Sequence, residues 1–150
     1  MSDIHLVKIN KDNYEEAMRL TEQDDRYVSV LLSLAYAYVK PWDEALDPYV
    51  VMLEKNIIGF VYVSYTPHSD DNYWIGGLYI KTDYQHQGYG RQTILEMVNI
   101  IKKENPECVK VRLTVEPGNK RAIALYESMG FITEGDQNTY GEIRYYLPLS

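Results

Sequence analysis

The chain has 150 residues, 45% hydrophobic and 25% charged, which suits one globular domain over 1–150 with a core large enough to need no staple. Fifteen basic against 22 acidic residues leave a formal charge of −7, a surface that repels phosphate backbones, argues against nucleic-acid binding and attracts small cations. The single cysteine, Cys108, excludes an internal disulfide, and His5, His68 and His86 are too scattered to make a metal site.

Met1 to Asn10 lacks the apolar core of a secretory leader, and the apolar-rich run Ser29–Val39 is too short to span a bilayer. A cytoplasmic protein with no membrane contact is expected. Ile4 to Ile9 alternates as a first strand. Asp12 or Asn13 is placed to cap a helix running to about Thr21, with Glu15 and Glu16 in its first turn. Arg26 to Val39 is a second helical stretch, stopped by Pro41. Tyr49–Glu54 and Ile57–Tyr65 flank Lys55-Asn56 as a hairpin. Pro67–Asn72 is a polar loop, and Tyr73–Ile80 is a strand interrupted by Gly76-Gly77, a pair that marks a bulge or a close backbone approach.

Tyr89–Lys103 is an amphipathic helix with Ile94, Leu95, Val98 and Ile101 near one face. Val109–Val115 alternates as a strand, with Cys108 packed at its start. Lys120–Ser128 is a helix closed at Gly130, a residue suited to a left-handed end. Phe131–Ile132 and Ile143–Leu149 form a final hairpin. The order β-α-α-β-β-β-α-β-α-β-β predicts an α+β, or mixed α/β, domain around one central, largely antiparallel sheet.

Gln85-His86-Gln87-Gly88-Tyr89-Gly90-Arg91 joins the Tyr73–Ile80 strand to the longest helix. Its glycines permit a tight turn that brings backbone N–H groups against a ligand, and the helix N-terminus adds partial positive charge. A pyrophosphate suits such a place, with Arg91 adding a charge-assisted contact. The spacing is neither the dinucleotide fingerprint nor the Walker loop, and a glycine-rich turn that merely starts a helix fits it equally.

Ile80 followed by Gln85-x-x-Gly88-x-Gly90 resembles the acetyl-CoA signature of the GNAT (GCN5-related N-acetyltransferase) superfamily. Asn119, Ala122, Leu125-Tyr126-Glu127 and Gly130-Phe131 resemble its later motif. Tyr73-Trp74-Ile75, Leu78-Tyr79-Ile80, Tyr84-Gln85, Gln23, Tyr27-Val28, Gly59-Phe60 and Gly141-Glu142 are similar to the small bacterial spermine/spermidine acetyltransferases. His86 replaces a usual glycine, and Gly76-Gly77 stands where bulkier residues are common.

The resemblance implies a largely antiparallel twisted sheet of six to seven strands, about four flanking helices and splayed central strands. It implies acetyl-CoA as co-substrate, held by Leu78, Tyr79, Ile80, Gln85, His86, Gln87, Gly88, Tyr89, Gly90, Arg91, Asn119 and Tyr126, with no metal. Tyr126 is the expected catalytic donor to the departing thiolate, since a phenol of ordinary pKa about 10 keeps its proton at neutral pH. Packing of its helix on the sheet is the alternative. Asn119 either bonds the cofactor or caps its helix.

The Gly76-Gly77 pair either splays the strands or locally weakens one. Glu116 is a candidate base acting through water, or a solvated carboxylate. For a small cationic amine the expected contacts are Tyr27, Trp74 and Glu116, with Asp24-Asp25, Asp43-Glu44 and Asp70-Asp71 as further carboxylates. A polyamine is the preferred acceptor. Other amines (a protein N-terminus or lysine, an aminoglycoside, a small metabolite) and a non-catalytic acyl-CoA sensor are the alternatives. The Tyr-rich C-terminal hairpin is a contact surface for a homodimer.

Overall fold

The computed structural model describes residues 3–20, 34–35 and 45–149. Its elements in chain order are β1 (Ile4–Lys8), α1 (Tyr14–Arg19), β2 (Ala45–Leu53), β3 (Asn56–Tyr65), β4 (Tyr73–Ile80), α2 (Tyr89–Glu104), β5 (Lys110–Val115), α3 (Lys120–Ser128), β6 (Ile132–Gln137) and β7 (Ile143–Pro148). The helix expected over Arg26–Val39 falls outside the described residues, except that Leu34 and Ala35 are helical. Among the described residues no helix is long and apolar enough to cross a membrane.

The strands form one seven-stranded sheet in the order β1-β2-β3-β4-β5-β7-β6. Every neighbouring pair is antiparallel except β4 and β5. Alternation divides the apolar side chains between the two faces. Val51, Ile58, Val61, Val63, Ile75, Val111 and Leu113 meet Ile94, Met97, Val98 and Ile101 of α2 in the main core. Val50, Ile57 and Phe60 turn the other way, toward Ala17 of α1 and Leu34. Ile94 and Met97 are fully buried, each worth roughly 1.5–3 kcal/mol of transfer free energy. That anchors the start of α2, and with it the turn before it, to the sheet.

Several boundaries differ from the sequence expectation. The β2–β3 hairpin turns on Glu54-Lys55, one residue earlier than Lys55-Asn56, with Leu53 paired to Asn56 and Glu54 at φ 56. β2 begins at Ala45 and runs through Pro48, whose missing N–H faces the side where the β1 ladder ends at Lys8↔Tyr49. Asn13 precedes α1 without capping it, because its Oδ1 accepts from the Asn10 N–H at 2.8 Å. β6 is longer than Phe131–Ile132. Its continuation is polar and exposed, carries no period-2 apolar signal, and is broken by Gly135 at φ 87.

Candidate active site

β4 and β5 share one registered pair, Trp74↔Arg112, and then part. The parting coincides with a bulge in β4, where the β3 register slips between Phe60 and Tyr62 and Gly77 takes φ 63. The glycine pair has a local steric cause. A Cβ at Gly76 would stand 2.5 Å from the Tyr62 Cζ, and one at Gly77 would stand 2.7 Å from its ring, so Tyr62 lies directly across this main chain.

Beyond the bulge, a cavity of about 180 Å³ opens between Gly76–Leu78 on one side and Leu113–Glu116 on the other, with Tyr126 and Glu142 at its walls. A second cavity of about 480 Å³ lies between α3 and the turn before α2, and is lined by Gln85, His86, Gly88–Arg91 and Arg121 among others. The two share Leu78, Asn119, Ala122 and Tyr126, so they adjoin along these four residues.

The turn is tied down from behind and open in front. Gln85 Nε2 donates to the Ile80 carbonyl at 2.8 Å, and Gln87 Nε2 donates to the Asp83 carbonyl at 3.1 Å. Gln85 therefore ties the turn to the end of β4 while lining the cavity, and Gln87 ties it to the short Thr82–Tyr84 turn that follows the strand. Gly88 is the left-handed residue before α2, at φ 87, and no side chain caps the helix. The N–H groups of Gly88, Tyr89, Gly90 and Arg91 find no partner among the described residues. No atom lies within 4 Å of where a Gly88 Cβ would be, so the bend is not plugged by the protein's own side chains. Unpaired N–H groups at a helix N-terminus are a ready anion site. Arg91 leaves the turn to donate to Ser128 Oγ at 3.2 Å, tying α2 to α3.

Asn119 caps α3, its Oδ1 accepting from the Ala122 N–H at 3.2 Å. Tyr126 is half-buried, with its ring against Phe131 at 5.8 Å between centroids. Burial pushes its phenol above the ordinary value, so it keeps its proton at neutral pH. The next residue, Glu127, accepts from the Tyr145 hydroxyl at 3.2 Å, which pins the helix to β7.

On the other side of the smaller cavity stand two carboxylates. Val115↔Ile143 is the last β5–β7 pair, and the residues just beyond it, Glu116 and Glu142, both line this cavity. Asn138 holds Glu142 in place, donating from Nδ2 to its Oε1 at 3.1 Å and accepting its N–H at 2.9 Å. Neither carboxylate has a cationic partner among the described residues. Two carboxylates on one cavity wall make it attractive to a cation.

Not every expected residue is gathered here. Trp74 lines neither cavity. Its ring faces the Arg112 guanidinium at 5.4 Å and its indole N–H donates to Asn72 Oδ1 at 2.7 Å, so the chain itself fills the cation position that Trp74 was expected to offer a substrate. Asp70 and Asp71 lie at the opposite end of the parallel pair, where the Asp70 carbonyl accepts from Val109. Tyr27, Asp24, Asp25, Asp43 and Glu44 are outside the described residues.

Arg121 and Glu142 were missed. Arg121 lies two residues after Asn119, a spacing that a helical projection of α3 exposes, whereas Glu142 enters the sequence reading with Gly141 only for its resemblance to the family and not as a residue of the site. Among the described residues no three His, Cys, Asp or Glu side chains gather as a metal site would require.

Together these features define an α+β domain with an open turn of unpaired N–H groups beside an opened pair of parallel strands. The chain belongs to the acetyltransferase (GNAT) family, whose model matches residues 14–131. It is 32% identical over 72 residues to thialysine N-epsilon-acetyltransferase of Bos taurus, covering 48% of this chain and 41% of that protein. It is 26% identical over 100 residues to spermine/spermidine N(1)-acetyltransferase of Bacillus subtilis, covering 63% of this chain and 65% of that one. The chain thus spans less than two thirds of either relative. The fold is similar to that of a GNAT family acetyltransferase from Elizabethkingia anophelis with acetyl-CoA bound, at TM-score 0.74 and 15% identity over 99% of this chain and 100% of that one.

Proposed function

We propose that the protein transfers the acetyl group of acetyl-CoA to a small cationic amine, a polyamine such as spermine or spermidine, by direct attack in a ternary complex. The observation that carries this reading is that the two cavities adjoin along Leu78, Asn119, Ala122 and Tyr126, with open main-chain donors at one end and the two carboxylates at the other. In this reading the Gly88–Arg91 N–H groups bind the pyrophosphate. The pantetheine arm lies along Leu78, Tyr79 and Ile80, whose β5-facing edge is unpaired.

Acetyl-CoA supplies an activated acyl group on a thiol leaving group. The amine loses its ammonium proton to water beside Glu116, its nitrogen bonds to the acyl carbon, the carbon–sulfur bond breaks, and the nitrogen gives up a second proton to the same water to leave a neutral amide. A main-chain N–H of the Leu78–Ile80 edge stabilises the oxyanion, and Tyr126 gives its proton to the departing sulfur and regains one from solvent. Glu116 and Glu142 attract the acceptor, in keeping with a chain of charge −7. The Bacillus subtilis relative, named for spermine and spermidine, supports this acceptor class.

The test is release of free thiol from acetyl-CoA in the presence of spermine, spermidine, short diamines, thialysine, aminoglycosides and N-terminal peptides, preceded by calorimetric titration with CoA. Release with polyamines alone is the expected result. Release only with another amine overturns the acceptor, and CoA binding without release for any amine makes the protein a sensor. Absence of CoA binding overturns the whole reading.

A further inference from the structure

The strands that open the site are joined at their base by a row of side chains. Toward Gly76 the two strands part at the bulge, and toward the other end Val109 donates its N–H to the Asp70 carbonyl at 2.7 Å. At the registered pair between them, the Arg112 guanidinium lies over the Trp74 ring, 5.4 Å from its centroid. The ring is aimed from the β3–β4 loop. Its indole N–H donates to Asn72 Oδ1 at 2.7 Å, and Asn72 Nδ2 donates to Thr66 Oγ1 at 2.7 Å. On its other side Arg112 reaches across β7 to Glu134 of β6, with Nη1 3.6 Å from Oε1. One row therefore spans β4, β5, β7 and β6 at the level where the sheet splits.

This row is a poor source of stability. The Arg112 and Glu134 side chains are only 23% and 21% exposed, and the Arg112 Nε is buried with no hydrogen-bond partner among the described residues. A charge pair taken out of water gives little net stability, and an unmatched buried donor subtracts from it. Two uncharged residues of similar size would fill the same space without that penalty. A polar arrangement that breaks the packing rules marks a place held for another purpose, and this one stands on β5 two residues before Thr114 and four before Glu116, both of which line the smaller cavity.

We infer that Arg112 is a positioning residue: stacked on Trp74 and paired with Glu134, it fixes the point at which β4 and β5 separate, and with it the width of the slot between Gly76–Leu78 and Leu113–Glu116. The inference rests on the acetyl-transfer reading above, in which that slot holds the thioester. Arg112 lines neither cavity, so it acts through the two strands. Without the clamp the strands separate further toward Val109, and the thioester is held less firmly against the amine. Small misplacements of reacting groups lower the rate far more than they weaken binding. The turn before α2 is anchored separately, through the core contacts of that helix.

The experiment compares wild type, the uncharged double variant Arg112→Met/Glu134→Gln, and Arg112→Lys. The measurements are thermal melting, calorimetric titration with CoA, steady-state thiol release per CoA-binding site, and hydrogen exchange. The double variant should melt at or above the wild-type temperature, since both charges leave together. Its KM for acetyl-CoA and its affinity for CoA should stay within about threefold of wild type, while kcat falls about tenfold or more. Exchange should quicken about tenfold in Tyr73–Ile75 and Lys110–Leu113 and keep its wild-type rate in β1 and β2. Arg112→Lys keeps a cation over the ring and should recover most of the lost turnover.

Either wild-type kcat or wild-type exchange in those two segments of the double variant overturns the inference and leaves acetyl transfer standing. Faster exchange throughout the sheet with a lowered melting temperature also overturns it, making Arg112 a structural residue only. Absence of thiol release by wild type with any amine overturns instead the reading on which the inference rests.

Discussion

Gly76→Ala tests whether the bulge that opens the sheet depends on Tyr62 lying across the main chain. The added Cβ would stand 2.5 Å from Tyr62 Cζ and Oη and 2.7 Å from Cε1. Moving from 2.5 Å to the 3.4 Å of an ordinary contact requires the ring to retreat by about 0.9 Å. Phe60, fully buried, is a ring neighbour of Tyr62 at 6.4 Å between centroids, and it limits how far the ring can turn. Tyr62 is only half-buried, which lets it yield part of the way.

The expected cost is therefore that of ordinary overpacking, about 1–3 kcal/mol. For a chain of this length that is a melting temperature lower by about 2–10 °C. The assay is chemical denaturation of four proteins: wild type, Gly76→Ala, Tyr62→Ala and the double variant. With the ring gone, Gly76→Ala should be nearly free, because Gly76 does not have a positive φ and alanine fits its backbone. The cycle should thus show a coupling of about 1–3 kcal/mol. If Gly76→Ala costs the same in both backgrounds, the ring is not what requires the glycine, and the account of the bulge is wrong.

Tyr126→Phe should lower turnover by about 10²-fold while leaving the KM for acetyl-CoA and the melting temperature nearly unchanged. Steady-state thiol release with rate-limiting chemistry checks this, and near-normal turnover would remove Tyr126 from proton donation. Asn138→Ala frees the Glu142 carboxylate and breaks the turn's bonds to the Tyr140 and Glu142 N–H groups. It should raise the KM for the amine several-fold at constant KM for acetyl-CoA, with about 1–3 kcal/mol lost in a melting experiment; a KM for the amine that stays at the wild-type value would clear Glu142 of the role.

Stability should also fall in alkali. The Tyr49 phenol is pushed up to about 12 by burial first and then by Glu104 and Asp47. Tyr65 is pushed up by burial and by donating to Asp47 Oδ2 at 2.9 Å. The native state keeps protons that the unfolded chain gives up near pH 10, so stability is intact below that pH and declines as pH rises toward 12. The slope is at most about 1.4 kcal/mol per pH unit for each tyrosine. Melting temperatures of Tyr49→Phe and Tyr65→Phe across that range should decline less steeply than wild type, and parallel curves would refute the assignment.

The bounds of β4 and α3 were legible to the residue, because alternation from Tyr73 and the Asn119 cap with its Gly130 stop are written in consecutive positions. The Gln85–Arg91 turn was legible for the same reason. Glycines and a helix N-terminus act within a few residues of each other, and the meeting of main-chain donors at one point needs no distant partner. The polar strand β6 was not legible, since its residues follow β7 and not a hydrophobic period of their own.

Only the tertiary structure decided the rest. Register between strands far apart in the chain brought Glu142 to the cavity that Glu116 lines, and cross-strand packing placed Arg112 over Trp74, which removed that ring from the cavity. The meeting of Arg121 with His86 depends on how α3 docks beside a turn 35 residues upstream. Side chains with strong local preferences announce themselves in sequence. Side chains whose neighbours are chosen by sheet order and helix docking do not, because the energy that places them belongs to contacts that exist only once the chain has closed on itself.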